Sequence, residues 1–189
     1  MKQILYPIIG ISLIFICTTL GALFVFFIRK KEISPKLNKI FTGFAAGVMF
    51  SASFFSLIKP ALESEVTYMP SWLVVAISIV LGAGFLWGID KLTPHFHVQE
   101  NKEEGLSVKR MSKTSKMFLA VTIHNVPEGL SVGIAFGVAL SQPDNAALLL
   151  GALLLAIGIG IQNIPEGAVV SLPIKGETGS SGKAFLFGM

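Results

Sequence analysis

Apolar residues run almost without interruption from position 4 to 28, and four further apolar runs follow at about 40–58, 71–89, 117–140 and 146–172. Each reaches or approaches the ~20 residues that carry a helix across the hydrocarbon core of a bilayer. The pattern therefore predicts five membrane-spanning helices, with a sixth beginning just before Met189. Polar segments divide them: a loop at about 29–39 with Pro35 as a breaker, an acidic turn from Pro60 to Pro70, a long polar stretch at about 90–116, a tight Ser141–Asn145 turn, and a Gly/Ser-rich loop flanked by Lys175 and Lys183. The expected fold class is all-α, a polytopic membrane helix bundle. Residues 1–189 are expected to form the N-terminal part of a single transmembrane domain whose C-terminal spans are absent.

Charge adds an orientation. Of the 15 Lys and Arg, all but Lys2 and Lys59 fall in loops on one side of such a bundle. Because cytoplasmic loops are enriched in Lys and Arg, the basic loops are expected in the cytoplasm and the N-terminus outside a cell membrane. Composition agrees: 52% of residues are hydrophobic and 14% charged, against roughly 25% charged in an average soluble domain. The net charge of +4 is scattered through short loops and forms no aromatic-interleaved face, so the lipid bilayer is the expected partner and nucleic acid is not. Cys17, the single cysteine, excludes an intramolecular disulfide, and Ile16 before it argues against a lipoprotein cleavage site.

Smaller signals accompany the spans. Trp72 and Trp87 bracket the third run as interfacial anchors. Gly43 and Gly47 form a small-xxx-small pair expected to admit a neighbouring helix. Met49 and Ser51 on the second span are candidates to line an ion path, although Met in a helix is more often filler. Glu63 and Glu65 read as solvated loop charge, and His95 and His97 form at most a weak accessory metal site in a solvated linker.

The fourth and fifth runs each carry an interruption of unusual chemistry: His124-Asn125-Val126-Pro127-Glu128-Gly129 and Gln162-Asn163-Ile164-Pro165-Glu166-Gly167. An ionisable side chain at membrane depth is expensive and marks function by default. Residues four apart share a helix face, which pairs His124 with Glu128 and Gln162 with Glu166. Pro127 and Pro165 also leave the carbonyls of Ile123 and Ile161 without helical partners. From the turn near residue 143 the motifs lie about 25 and 32 Å along their helices at ~1.5 Å per residue, a mismatch of about one turn. Convergence near mid-membrane is expected. The bland alternative is two proline kinks whose polar groups satisfy each other, and the doubling of the motif weighs against it.

One imidazole, two carboxylates and amide oxygens suit a borderline divalent cation. Zinc leads; iron(II), manganese and cadmium stay open. The neutral amide ligands bind weakly, as befits an ion that must be released, and polar groups in interrupted helices near the midplane are how many transporters hold cargo.

The doubled motif, with Phe44-Ala45-Ala46-Gly47-Val48-Met49 and the polar loop before the fourth span, resembles the ZIP (Zrt/Irt-like) metal transporters, in particular the GufA-type branch. The resemblance implies a ZIP-like bundle of eight helices that moves zinc and related divalent cations toward the cytoplasm, commonly as a homodimer. It also implies that His124, Glu128, Gln162 and Glu166 hold one metal, and that Asn125 and Asn163 with the bridging glutamates hold a second. An intramembrane zinc hydrolase is the rival enzyme reading, but it lacks a His-Glu-x-x-His pair. A non-transporting membrane metal sensor, working through His95 and His97, is a further alternative.

Binding a divalent cation at a pair of carboxyls displaces their protons. Metal affinity measured by equilibrium titration is therefore expected to fall from neutral to mildly acidic pH, and a flat profile would contradict the carboxylate site.

Overall fold

Five helical segments in the computed structural model are long and apolar enough to cross a bilayer: Ile4–Phe27, Pro35–Glu63, Ser71–Leu92, Thr114–Ser141 and Ala146–Thr178. The structure describes residues 2–28, 34–64, 68–97, 102–104 and 112–189. In chain order the elements are α1 (Lys2–Phe27), α2 (Pro35–Ser53), a π-helical turn (Phe54–Ile58), α3 (Lys59–Glu63), α4 (Ser71–Leu92), β1 (His95–His97), β2 (Lys102–Glu104), α5 (Lys113–Ser141), α6 (Ala146–Thr178) and α7 (Ser181–Gly188). The chain is thus a multi-pass helical bundle. Arg29, Lys30, Lys31, Glu65, Lys109 and Arg110 lie outside the described residues.

Several helix ends differ from the hydropathy boundaries, and local chemistry explains each. Pro35 does not break the second span but starts it: Ser34 caps the helix by accepting from the Leu37 amide at 3.3 Å. Proline at the first helical turn gives up no hydrogen bond and arrives with its φ preset. Further on, Pro60 lacks an N–H and crowds the carbonyl four residues back. The helix widens there into the π turn, in which the Lys59 amide reaches the Phe54 carbonyl. Glu63 then pairs with Lys59 at 3.9 Å on an exposed surface, as its reading as solvated charge requires.

The Gly/Ser-rich segment after the fifth run is mostly helix. α6 continues through Pro173 to Thr178 and stops at Gly179, whose φ of 68° closes a left-handed cap. Ser180 immediately caps α7 by accepting from the Lys183 amide at 3.3 Å. Lys175 is therefore a helix residue, and its Nζ donates to the Val25 and Ile28 carbonyls at 2.7 and 3.0 Å. A cation there suits the carbonyls at the C-terminal end of α1.

α6 is the central element, with buried residues from Ala152 to Ile174. Its first half packs on α5 around Val132, Phe136, Ala139, Leu155 and Ile159. Its second half packs on α1 and α7 around Val25, Val170, Leu172, Ile174 and Ala184. The segment 162–166 lies between the two clusters. By contrast, α4 buries none of its residues, and Trp72 and Trp87 are both exposed.

The close helix approach expected at Gly43 and Gly47 is not where the structure places it. A Cβ on either would meet nothing within 4 Å. Instead, a Cβ on Gly21 would lie 2.1 Å from the Ile164 carbonyl oxygen, and one on Gly167 would lie 2.4 Å from the Thr18 carbonyl oxygen. Both obstacles are backbone, so α1 and α6 touch main chain to main chain. On α2 it is Val48 and Ala52, not the two glycines, that face Gly158 of α6. Gly21→Ala should therefore destabilise the protein by roughly 1–3 kcal/mol through overpacking, whereas Gly43→Ala should stay within about 0.5 kcal/mol. Thermal unfolding in detergent checks both.

Candidate metal centre

The two motifs meet. α5 and α6 are joined by a tight turn in which the Asn145 amide bonds the Gln142 carbonyl at 3.0 Å, which makes them antiparallel neighbours. Glu128 of α5 and Gln162 of α6 are in direct contact: Gln162 Nε2 donates to Glu128 Oε1 at 2.8 Å. The one-turn mismatch along the helices is absorbed, and both helices continue through Pro127 and Pro165.

One ligand atom each from His124, Glu128 and Glu166 lie within 4.8 Å of one another. His124 Nε2 is 3.6 Å from Glu128 Oε1, the pair being four residues apart on one face. Burial differs across the group, the His124 side chain being 55% exposed and that of Glu128 8%. The imidazole thus sits at an accessible edge and the Glu128 carboxylate at the enclosed end.

The amides divide into two kinds. Gln162 and Asn163 are each 2% exposed, and the amide nitrogen of each donates to protein groups. Gln162 Nε2 also donates to Asn163 Oδ1, and Asn163 Nδ2 donates to Thr18 Oγ1 of α1 at 3.1 Å. Asn125 is different, because its Oδ1 is buried without a partner. Glu128 Oε2 and Glu166 Oε2 share that condition. All three orphaned atoms are oxygens. A buried acceptor without a donor costs about 1–3 kcal/mol, and a cation is the species that relieves several acceptors at once.

Beside this cluster lies a cavity of about 230 Å³, bordered by Asn125, Glu128, Asn163 and Thr18 at its polar end and walled by Ile11, Ile14, Phe15 and Val132. The other residues singled out from the sequence stand apart from it. Met49 is half-buried and Ser51 exposed on α2, and neither lines the cavity. The backbone of His95–His97 pairs antiparallel with Lys102–Glu104, His95 opposite Glu104 and His97 opposite Lys102. Thr18 is the participant that sequence reasoning missed. A threonine in an apolar run is unremarkable in sequence; only its position three residues before Gly21 hints that it faces a tight contact.

Fold and site together define a polytopic membrane protein with a carboxylate–imidazole cluster between two antiparallel spans. The family described as ZIP Zinc transporter matches residues 4–117, a stretch that ends before either motif. Zinc transporter GufA of Myxococcus xanthus is 38% identical over 171 residues, covering 88% of this chain and 63% of the relative. Zinc transporter ZIPB of Bordetella bronchiseptica is 34% identical over 135 residues, covering 69% and 43%. Zinc transporter ZupT of Nitratidesulfovibrio vulgaris is 34% identical over 194 residues, covering 91% and 65%. The chain belongs to the ZIP family, and it spans less than two thirds of the length of these relatives.

Removing the Gln162 amide would take the donor from Asn163 Oδ1 and leave Glu128 Oε1 only the His124 imidazole at 3.6 Å. Gln162→Leu should accordingly cost about 1–3 kcal/mol in the absence of metal, read as a lowered unfolding temperature in detergent.

Proposed function

We propose that the protein carries zinc across the cell membrane, and that the cation passes through the cluster between α5 and α6. The observation that carries this reading is the group of His124, Glu128 and Glu166, whose ligand atoms lie within 4.8 Å of one another inside spans that hold no other acidic pair. His124, Glu128 and Glu166 bind the ion directly. Asn125 adds its unpartnered oxygen, and Gln162 and Asn163 complete the polar surroundings as neutral ligands or hydrogen-bond partners. Two ionised carboxylates balance one divalent charge. A mixed nitrogen and oxygen set favours zinc over calcium or copper(I).

Chemistry of release supports cargo over a structural ion. The clustered ligand atoms include no cysteine, and the amides are weak ligands, so the ion is not held as a structural zinc would be. The exposed edge at His124 gives the site one accessible side. Names of the relatives, all of them zinc transporters, support the same substrate. The excess of Lys and Arg in these loops supports an N-terminus outside with the α4–α5 and α6–α7 connections in the cytoplasm, and the proposed direction of movement is toward the cytoplasm. A hydrolase reading gains nothing from the geometry, since His124 is the lone histidine in a span.

The test is zinc uptake by the full-length protein in proteoliposomes. Glu128→Ala and Glu166→Ala should each reduce flux to the level of empty vesicles, and His124→Ala should lower it by roughly 10-fold or more, in line with the loss of a metal contact. Iron(II), manganese and cadmium added as competitors rank the selectivity. Undiminished flux in both glutamate variants would show that the ion takes another route.

A further inference from the structure

The site has a third helix behind it. Thr18 on α1 is 9% exposed, and its hydroxyl bonds the Ile14 carbonyl at 3.0 Å. A hydroxyl has one hydrogen to give. With that hydrogen committed to Ile14, Oγ1 can only accept from across the interface, so Asn163 must present its amide nitrogen, at 3.1 Å. The Asn163 oxygen then faces Gln162 and requires a donor there, which the Gln162 amide supplies. Gln162 is thereby turned with its nitrogen toward the cluster, where it donates to Glu128 Oε1 at 2.8 Å. The directions follow one from another, starting at Thr18.

We propose that Thr18 is a positioning residue for the metal site: by accepting the Asn163 amide, it fixes the polarity of a hydrogen-bond relay that ends on Glu128. The inference rests on the reading of Glu128 as a metal ligand. Its consequence is that Glu128 Oε1 is held by an amide while Oε2 is left without a protein partner. If Asn163 were free to turn over, its oxygen could face α1 and its nitrogen Gln162. Gln162 would then offer its oxygen to Asn163, and the donor that orients Glu128 would be lost. Partners that orient a ligand commonly change metal affinity 10–100-fold when removed.

α1 supplies its own control. Thr19 makes the same kind of bond to its own helix, Oγ1 to the Phe15 carbonyl at 2.8 Å, but makes none to α6. Full-length protein in detergent is titrated with cobalt(II), whose visible absorption reports its ligand geometry. Thr18→Val should weaken cobalt binding by about ten-fold and alter the visible band, while Thr18→Ser should restore both and Thr19→Val should change neither. In an Asn163→Ala background Thr18→Val should have almost no further effect, because the relay is already cut. Should Thr18→Val not purify as a folded protein, Thr18→Ala takes its place against Thr18→Ser.

Three results overturn the proposal: Thr18→Val binding as the wild type does, Thr18→Ser binding as poorly as Thr18→Val, or an undiminished effect of Thr18→Val in the Asn163→Ala background. Failure of the underlying site reads differently. In that case Glu128→Ala and Glu166→Ala would also bind cobalt as the wild type does; with both glutamate variants defective, only the role of Thr18 falls.

Discussion

Backbone contact between α1 and α6 at Gly21 and Gly167 sets the distances on which the rest depends. Inside a bilayer, helices gain little by leaving lipid for one another, because the lipid chains are as apolar as leucine. What holds two of them together is close packing and a few hydrogen bonds. Here the packing is as close as main chain allows, with the Gly21 Cα facing the Ile164 carbonyl and the Gly167 Cα facing the Thr18 carbonyl. A threonine side chain is short. Its hydroxyl reaches Asn163 only because the helices lie at this separation, so the apolar fit and the polar relay are one arrangement.

That arrangement also explains how so polar a segment is tolerated at membrane depth. Between residues 162 and 166 the structure leaves the apolar pattern of α6, with an apolar cluster on either side. The nitrogen donors of Gln162 and Asn163 are used within the protein, on Glu128, Asn163 and Thr18. The groups left over are acceptors: Asn125 Oδ1, Glu128 Oε2 and Glu166 Oε2. Two proline kinks whose polar groups merely satisfied each other would leave no such surplus. On the proposed reading, a cation meets this surplus of acceptors.

Much of this was legible in the sequence because membrane depth makes deviations conspicuous. Glu128 and Glu166 stand out from apolar runs, and the four-residue spacing to His124 and Gln162 defines their faces without any tertiary information. The α5–α6 pairing follows from a five-residue turn. The contact partners of α1 were not legible. Small residues say that a helix can be approached closely, not which helix does so, and Gly43 and Gly47 carry the more regular spacing while Gly21 and Gly167 make the contact. Proline was misread for a related reason. Pro35 reads as a breaker, yet a capping serine admits it at the start of α2, and α6 likewise runs on through Pro173, with Leu172 and Ile174 packed in the cluster that holds Val25.

The unequal motifs take on a division of labour in this light. On α5, His124 and Glu128 offer a ligand pair of ordinary metal chemistry. On α6, Gln162 and Asn163 are occupied with hydrogen bonds to α5 and α1, and Glu166 is the sole charged member. A histidine at 162 could not donate to both Glu128 and Asn163 from one nitrogen, whereas an amide NH₂ does. The glutamine is thus suited to joining three helices around the site. On the proposed reading, the same choice weakens the grip on the metal, because an amide adds no charge to the two carboxylates. A stronger ligand at 162 would hold the ion longer and break the relay that aims Glu128, so weak binding and the ordered protein frame come from one residue.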